Sequence, residues 1–225
     1  MKNNLITYLP AAGHASRLGG IPKFYLPISN KKSLIGHHIE ELKKNNIYQI
    51  IIGANKYFNK SIEDLYPETE VKIINSNSMV DTVIQSGLSN DKNSLVVMPD
   101  TYFDNYEIIE KMSDILRGTS AEVVLGLWQI REDQKGKLGQ CKVDERFVLK
   151  VIDKEINCQE NLFWGLVMWK PSFNNFIKKT DSHFGISLNR ALAQEIKIRY
   201  VLAEGDYFDC GTFEEYKILI NNSSK

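Results

Sequence analysis

Short apolar runs of strand character alternate with segments of helical periodicity along most of this chain, and that alternation constrains the fold more than any other feature. Residues 5–9 form an apolar run broken at Pro10, residues 47–52 a second closed by Gly53, residues 71–74 a third, and residues 95–98 a fourth ending at Pro99-Asp100. Between them apolar residues recur at helical spacing. Ser33 is the expected N-cap of a helix reaching about Lys44, with Leu34, Ile35, His38, Ile39 and Leu42 on one face. A short helix is expected over residues 57–65, stopped before Pro67, and another over residues 80–88 after Ser76-Asn77-Ser78. Strands apolar on both faces belong to sheets covered by helices on both sides. Right-handed crossovers then wind such units into an α/β, doubly wound, mixed but mainly parallel sheet.

From Ala121 the texture shifts toward antiparallel pairing. A strand is expected over residues 123–128, a hairpin of residues 139–143 and 147–152 around Asp144-Glu145-Arg146, and a strand over residues 162–169. Helices over residues 172–179 and 186–194 follow, then a strand over residues 198–202. Asp209-Cys210-Gly211-Thr212 opens a terminal helix, with Thr212 and Glu215 spaced as a capping box. No linker composition separates the halves. One domain over residues 1–225 is expected, its two parts meeting near residue 120 and the second continuing the sheet of the first.

Charge narrows the function classes. Lys plus Arg number 28 and Asp plus Glu 28, so no basic surplus exists to neutralise a nucleic-acid backbone or to dock on anionic lipid. A small-molecule partner is expected, with no nucleic acid and no membrane, and a homo-oligomer is compatible. The first apolar run is too short for a signal-peptide core, so a cytoplasmic protein is expected. Cys141, Cys158 and Cys210 are odd in number and widely spaced, which disfavours a disulfide framework and a Cys-x-x-Cys metal site alike. The four histidines, His14, His37, His38 and His183, lack metal-ligand spacing.

The residues that suit phosphate chemistry sit where such sheets bind ligands, beyond the carboxyl ends of the strands. After the first strand come Ala11, Ala12, Gly13, Ala15 and Ser16, small residues that let backbone amides converge on an anion, with Arg17 and Lys23 adding charge. Neither the P-loop nor the dinucleotide fingerprint is present. Asp100 directly follows an apolar strand, which suits a Mg²⁺ ligand, although Pro-Asp is also an ordinary turn pair. Lys154 reads by itself as a solvated strand-end lysine, and Gly165 inside an apolar strand as a β-bulge or a point of close approach.

Taken in order, these pieces resemble the sugar nucleotidyltransferases, the NDP-sugar pyrophosphorylases that include glucose-1-phosphate thymidylyltransferase-like proteins. The N-terminal LPAAGHASRLGGIPKFYLPI resembles that family's signature loop, and MPDTYF its metal-binding strand end. Residues 138–145 look like its Phe-Gly-Val-Val strand, Val151-Ile152-Asp153-Lys154-Glu155 like its Glu-Glu-Lys-Pro element, Phe163-Trp164-Gly165-Leu166 like its sugar-facing glycine, and residues 207–216 like its Trp-x-Asp-x-Gly-Thr motif. The resemblance implies a Mg²⁺-dependent enzyme joining an NTP and a sugar 1-phosphate into an NDP-sugar and pyrophosphate. It implies catalytic roles for Arg17 and Lys23, and nucleotide contacts from Ala11, Ala12, Gly13, Ser78, Met79 and Asp100. Sugar-phosphate contacts would come from Gly139, Asp153, Lys154 and Gly165, and metal ligation from Asp100 and Asp209.

This chain departs from the pattern at Ala15, where a glycine is usual, and at Ser78-Met79-Val80-Asp81, which replaces a base-reading Gly-x-Ala. The base and the acceptor therefore stay open at this point. A cytidylyltransferase acting on a phosphorylated alcohol such as choline phosphate is the nearest alternative, and a catalytically weak nucleotide-sugar-binding domain is another.

Overall fold

The computed structural model describes residues 4–13, 21–29, 32–76, 78–155 and 157–223. Strand β1 (Leu5–Ala11) leads, through β2 (Pro27–Ser29) and β3 (Lys32–Ser33), to helix α1 (Leu34–Lys44). Ser33 Oγ accepts the Gly36 N–H, as its N-cap position predicts. The helix closes with Asn46 in a left-handed conformation (φ 58°), where the Ile47 N–H reaches the Leu42 carbonyl and the Asn46 N–H that of Lys43. This Schellman closure consumes Ile47, so β4 (Ile50–Ala54) begins three residues later than the apolar run suggests. Then follow α2 (Asn59–Leu65), β5 (Glu70–Ile73), α3 (Met79–Gln85), β6 (Asn93–Val97) and β7 (Thr101–Phe103).

Helix α4 (Glu107–Gly118) comes next, in a stretch to which the sequence reading assigns no element. Its Ile108, Ile109, Met112 and Leu116 form one buried stripe beneath a charged outer face. The second half comprises β8 (Val123–Gln129), β9 (Gln140–Val143), β10 (Val148–Ile152), β11 (Leu162–Trp169), α5 (Phe184–Leu192), β12 (Ile198–Leu202), β13 (Tyr207–Asp209) and α6 (Phe213–Ser223). The helix expected over residues 172–179 is instead one 3-10 stretch, Pro171–Phe176. Its Asn174 side chain is committed elsewhere, accepting from the Trp169 indole N–H and donating to the Ser89 carbonyl, and the chain turns extended at Ile177.

Among the described residues, nine strands form the main sheet. Its path runs β10-β9-β11-β6-β1-β4-β5, with β8 paired to β11 and β12 to β8. Strands β6, β1, β4 and β5 are parallel, whereas β11 enters antiparallel to both β6 and β8. This is the mixed, mainly parallel sheet with flanking helices expected from the sequence. Side chains alternate between two cores: Leu9 and Ala11 join Ile39, Leu42 and Met112 on one face, while Tyr8 joins Val80, Val83, Phe184 and Leu188 on the other. Among the described residues no helix is long and apolar enough to cross a membrane.

A two-stranded antiparallel pair, β7 with β13, stands beyond the carboxyl end of β6, registering Asp209 opposite Thr101 and Tyr207 opposite Phe103. It carries the chemistry described below.

Candidate active site

Strand β1 ends in buried Ala11 and Ala12, and Gly13 then emerges into solvent. The turn is held by a residue that the sequence reading passes over. Buried Asn55, just after β4, directs its Nδ2 to the carbonyls of Ala12 (3.5 Å) and Gly13 (3.4 Å), and its Oδ1 accepts the Tyr57 N–H at 3.0 Å. Arg17, with His14, Ala15 and Ser16, lies outside the described residues, as does Asn77. Lys23 opens a single 3-10 turn, Lys23–Tyr25, anchored by buried Phe24 against the rings of Tyr25 and Phe58. An aromatic anchor one residue along fixes where the Lys23 side chain starts.

Lys23 Nζ lies 3.8 Å from Asp100 Oδ2, and both side chains are mostly covered, at 16% and 25% exposure. Asp209 is brought to the same place by the β7–β13 pairing, in which the Cys210 N–H donates to the Asp100 carbonyl at 3.1 Å. Burial pushes the Asp100 carboxyl up to about 6; the neighbouring Asp209 carboxylate adds to that effect, and Lys23 and then Lys154 oppose it. The Gly211 N–H donates to Asp209 Oδ1 at 3.0 Å, orienting that carboxylate. Gly211 must be small: a Cβ there would stand 2.8 Å from Asp209 Oδ1 and 3.5 Å from Lys23 Nζ.

Among the described residues no group of three or more His, Cys, Asp and Glu side chains could hold a metal ion. Two close carboxylates are nevertheless the donor set that Mg²⁺ takes, since it draws the rest of its shell from water and phosphate oxygens. Burial first, and the Asp209 charge second, raise the proton affinity of Asp100, and a cation beside it would offset both. The residues present fit the ion.

Behind β7 the support is polar but closed. His38, fully buried, contacts the Thr101 carbonyl through Nε2 at 2.8 Å and the Tyr106 hydroxyl through Nδ1, and burial pushes its pKa down to about 3. A neutral imidazole therefore pins the backbone next to Asp100. Cys210 is fully buried and its thiol is pushed far up by burial and by the Asp100 and Asp209 charges, so it serves as packing.

Beside Asp209 a cavity of about 230 Å³ is lined by Lys137, Lys154, Asp209, Gly211, Thr212 and Glu215, among others. Lys154 holds a left-handed backbone (φ 45°) directly after Asp153. The capping box expected from Thr212 and Glu215 is only half formed: the Glu215 N–H donates to Thr212 Oγ1 at 3.3 Å, but the Glu215 carboxylate turns to Arg131, accepting from Nη2 at 2.8 and 3.0 Å. A guanidinium partner outcompetes a backbone amide for that buried carboxylate.

Two of the glycines pack against indole or phenol rings. At Gly165, itself buried, the register of β11 against β8 shifts, and a Cβ would stand 2.5 Å from Tyr207 Cε2 and 2.9 Å from Trp128 Cζ3. The bulge reading describes this position, and on the side where a Cβ would stand the chain's own aromatic rings approach it. At Gly139 the neighbour is the Trp164 indole, 2.5 Å from a built Cβ. Ser78 and Met79 open α3: Ser78 Oγ accepts the Asp81 N–H at 3.0 Å and donates to the Asp181 carbonyl at 3.0 Å. Asp153, half exposed, faces His183, a pairing for which the sequence carries no local signal.

The fold matches solved structures along nearly the whole chain. A Bacillus anthracis protein assigned as a glucose-1-phosphate thymidylyltransferase, solved with sucrose, superposes with a TM-score of 0.83 at 15% identity, covering 97% of this chain and 95% of that one. A UDP-glucose pyrophosphorylase from Acinetobacter baumanii gives 0.78 at 14% identity over 96% and 92% of the two chains. A UDP-glucose pyrophosphorylase complexed with UDP-glucose gives 0.75 at 16% identity over 98% of each. At these identities the likeness speaks for the fold. A 2-C-methyl-D-erythritol 4-phosphate cytidylyltransferase from Shewanella piezotolerans (strain WP3 / JCM 13877) is 32% identical over 107 residues, so the match spans 44% of this chain and 44% of that protein. The model of the MobA-like NTP transferase domain matches residues 8–140, which is more than half of the sequence. The chain therefore belongs to the MobA-like NTP transferase domain family, a nucleotidyltransferase built on the fold of the sugar nucleotidyltransferases.

Proposed function

We propose that this protein transfers a nucleotidyl group from an NTP to a sugar 1-phosphate, releasing pyrophosphate. The observation that carries the reading is the meeting of Lys23, Asp100 and Asp209 at one sheet edge, with the Lys154 charge also felt by Asp100. An oxygen of the acceptor phosphate attacks the α-phosphorus, and the bond from that phosphorus to the bridging oxygen of the β-phosphate breaks in line. That nucleophile is already ionised at neutral pH, so no general base is required and catalysis rests on positioning and charge.

Lys23 is suited to the charge that grows around the α-phosphate, and Lys154 to holding the acceptor phosphate. Arg17 and the amides of Ala11, Ala12 and Gly13 are suited to the leaving pyrophosphate; Ser78 and Met79, at the N-terminus of α3, to the nucleoside. Asp100 and Asp209 would hold Mg²⁺, which when bound supplies neutralising charge to the phosphate oxygens. Asp153, half exposed beside Lys154, is suited to an acceptor hydroxyl.

A second reading, a cytidylyltransferase for a phosphorylated alcohol, is favoured by the relative that carries such a name. The full chain, given each of four NTPs with a panel of sugar 1-phosphates and phosphorylated alcohols, distinguishes them through Mg²⁺-dependent pyrophosphate release. Release with a sugar 1-phosphate supports the first reading. Release only with CTP and an alcohol phosphate replaces it with the second, and no release with any pair leaves a nucleotide-sugar-binding domain.

A further inference from the structure

The turn that carries Lys154 is held from a distance. Lys154 is one of three non-glycine residues with positive φ among those described, and such a conformation persists only where the surroundings over-determine it. The residue before it, Asp153, places Oδ2 3.2 Å from Nε2 of His183, whose side chain is 24% exposed against 49% for Asp153. His183 precedes α5 with an extended backbone (φ −152°, ψ 161°) and makes no side-chain cap on that helix. Its ring is directed elsewhere, lying over Gly185: a Cβ at that position would stand 2.9 Å from Nδ1 and 3.0 Å from Cε1.

The same helix grips β10 a second time. The Val151 N–H donates to Asn189 Oδ1 at 3.0 Å, and Asn189 Nδ2 donates to the Val151 carbonyl at 2.7 Å. Helix α5 thus fixes the end of β10 at the Val151 backbone and again at the Asp153 carboxylate, and the next residue is the strained Lys154. Lys154 in turn lines the cavity with Asp209 and Thr212.

We infer that His183 is a positioning residue for the acceptor phosphate: through Asp153 it holds the Lys154 turn in the left-handed conformation that sets where the ammonium points. This rests on the reading of Lys154 as the acceptor-phosphate contact. A residue that only filled space beside Gly185 and Val151 would affect folding and both substrates alike. A residue that positions Lys154 affects one substrate, and only while Lys154 is present.

The test is steady-state kinetics of the full chain, with the NTP and acceptor pair that gives the highest rate of pyrophosphate release. His183→Ala should raise the KM for the acceptor about five- to tenfold while the NTP KM and kcat stay within about twofold. His183→Gln, which still offers a donor to Asp153, should recover most of that loss. Asp153→Ala removes the tie together with the proposed hydroxyl contact, so its acceptor KM should rise at least as far as that of His183→Ala, and adding His183→Ala to it should raise the KM no further. In a Lys154→Ala background, His183→Ala should add nothing further. An unchanged acceptor KM in His183→Ala and Asp153→Ala overturns the inference. So does an additional rise in the Lys154→Ala background, or a parallel loss of melting temperature and both affinities in the Ala and Gln variants. If Lys154→Ala raises the acceptor KM and His183→Ala does not, the functional reading stands and only the inference falls. If Lys154→Ala leaves it unchanged, the role given to Lys154 falls and takes this inference with it.

Discussion

Lys23 Nζ lies 3.8 Å from Asp100 Oδ2, a lysine resting beside the carboxylate pair that suits a divalent cation. The two cations would compete for the same negative charge. Lys23→Ala should lower turnover roughly a hundredfold, because a charge aimed at the reacting phosphate is lost. The same variant without nucleotide should bind Mn²⁺ several-fold more tightly, since a repelling charge has left the site. Titration calorimetry with Mn²⁺ reads the second effect without any activity assay. A fully active Lys23→Ala protein, or one with weakened Mn²⁺ binding, would remove Lys23 from this role.

Asp209 meets Asp100 only through the pairing of β13 with β7. Asp209→Asn removes one of the two carboxylates and should shift the Mg²⁺ activation curve to higher concentration by roughly tenfold or more, with a lower maximum. Losing the repulsion, Asp100 should also ionise at lower pH, since Asp209 is the second-largest cause of its elevated proton affinity. Full activity at unchanged Mg²⁺ would count decisively against a shared ion.

Asp100 sets a pH dependence whose sign can be worked out. Its folded carboxyl sits at about 6 against an ordinary value of 3.8, so between those values the folded chain binds the extra proton and stability from this group falls as pH rises. Above about 6 the cost is fully present. In metal-free protein, Asp100→Asn should therefore be more stable than wild type at pH 7.5 by about 1–3 kcal/mol and no more stable at pH 4. His38 acts in the opposite sense: held neutral with its pKa pushed down to about 3 from 6.5, it removes stability as pH falls below 6.5. The wild-type profile between pH 4 and 6 should then be flatter than that of Asp100→Asn. Urea melts of both proteins from pH 4 to 7.5 decide the matter, and an equal gap at pH 4 and pH 7.5 would refute the assignment.

Gly165 tests the packing beneath the site. A Cβ there would press within 2.5 Å of the Tyr207 ring and 2.9 Å of Trp128, both of them buried and large. Gly165→Ala should cost about 2–3 kcal/mol of stability, as overpacked cores do. Because Tyr207 belongs to the strand that carries Asp209, activity should fall along with the melting temperature. A variant as stable as wild type would show that the aromatic layer yields more than its contacts suggest.

Much of the architecture was legible because it depends on local pattern. Strand β11 and strand β12 occupy the expected residues 162–169 and 198–202, since runs this rich in apolar, aromatic and β-branched residues favour strands. The Ser33 cap was legible for the same reason, a hydroxyl immediately before helical spacing. Helix α4 was not read, although its apolar stripe was available, because the Pro99-Asp100 turn and β7 interrupt the alternation just before it. The helix expected over residues 172–179 shrank to a 3-10 stretch because Asn174 found partners in Trp169 and Ser89, which no local rule foresees.

By itself, then, the sequence determined which residue types were available for phosphate chemistry, Ala11 to Gly13, Lys23, Asp100, Lys154 and Asp209, and that Asp100 and the Ala11 to Gly13 turn stand at the ends of apolar strands. Their chemistry is a property of each side chain and its immediate neighbours. Only tertiary structure decided which of them meet. The β7–β13 register brings Asp209 to Asp100, β11 entering antiparallel beside β6 joins the second half of the chain to the first, and α5 brings His183 to Asp153. Those contacts join residues far apart in the chain, and their placement follows from which apolar faces bury one another, a global choice that no window of local sequence contains. The same holds for Gly165, whose close neighbours turned out to be Tyr207 and Trp128. A glycine in a strand announces that something approaches, and only the folded chain says what.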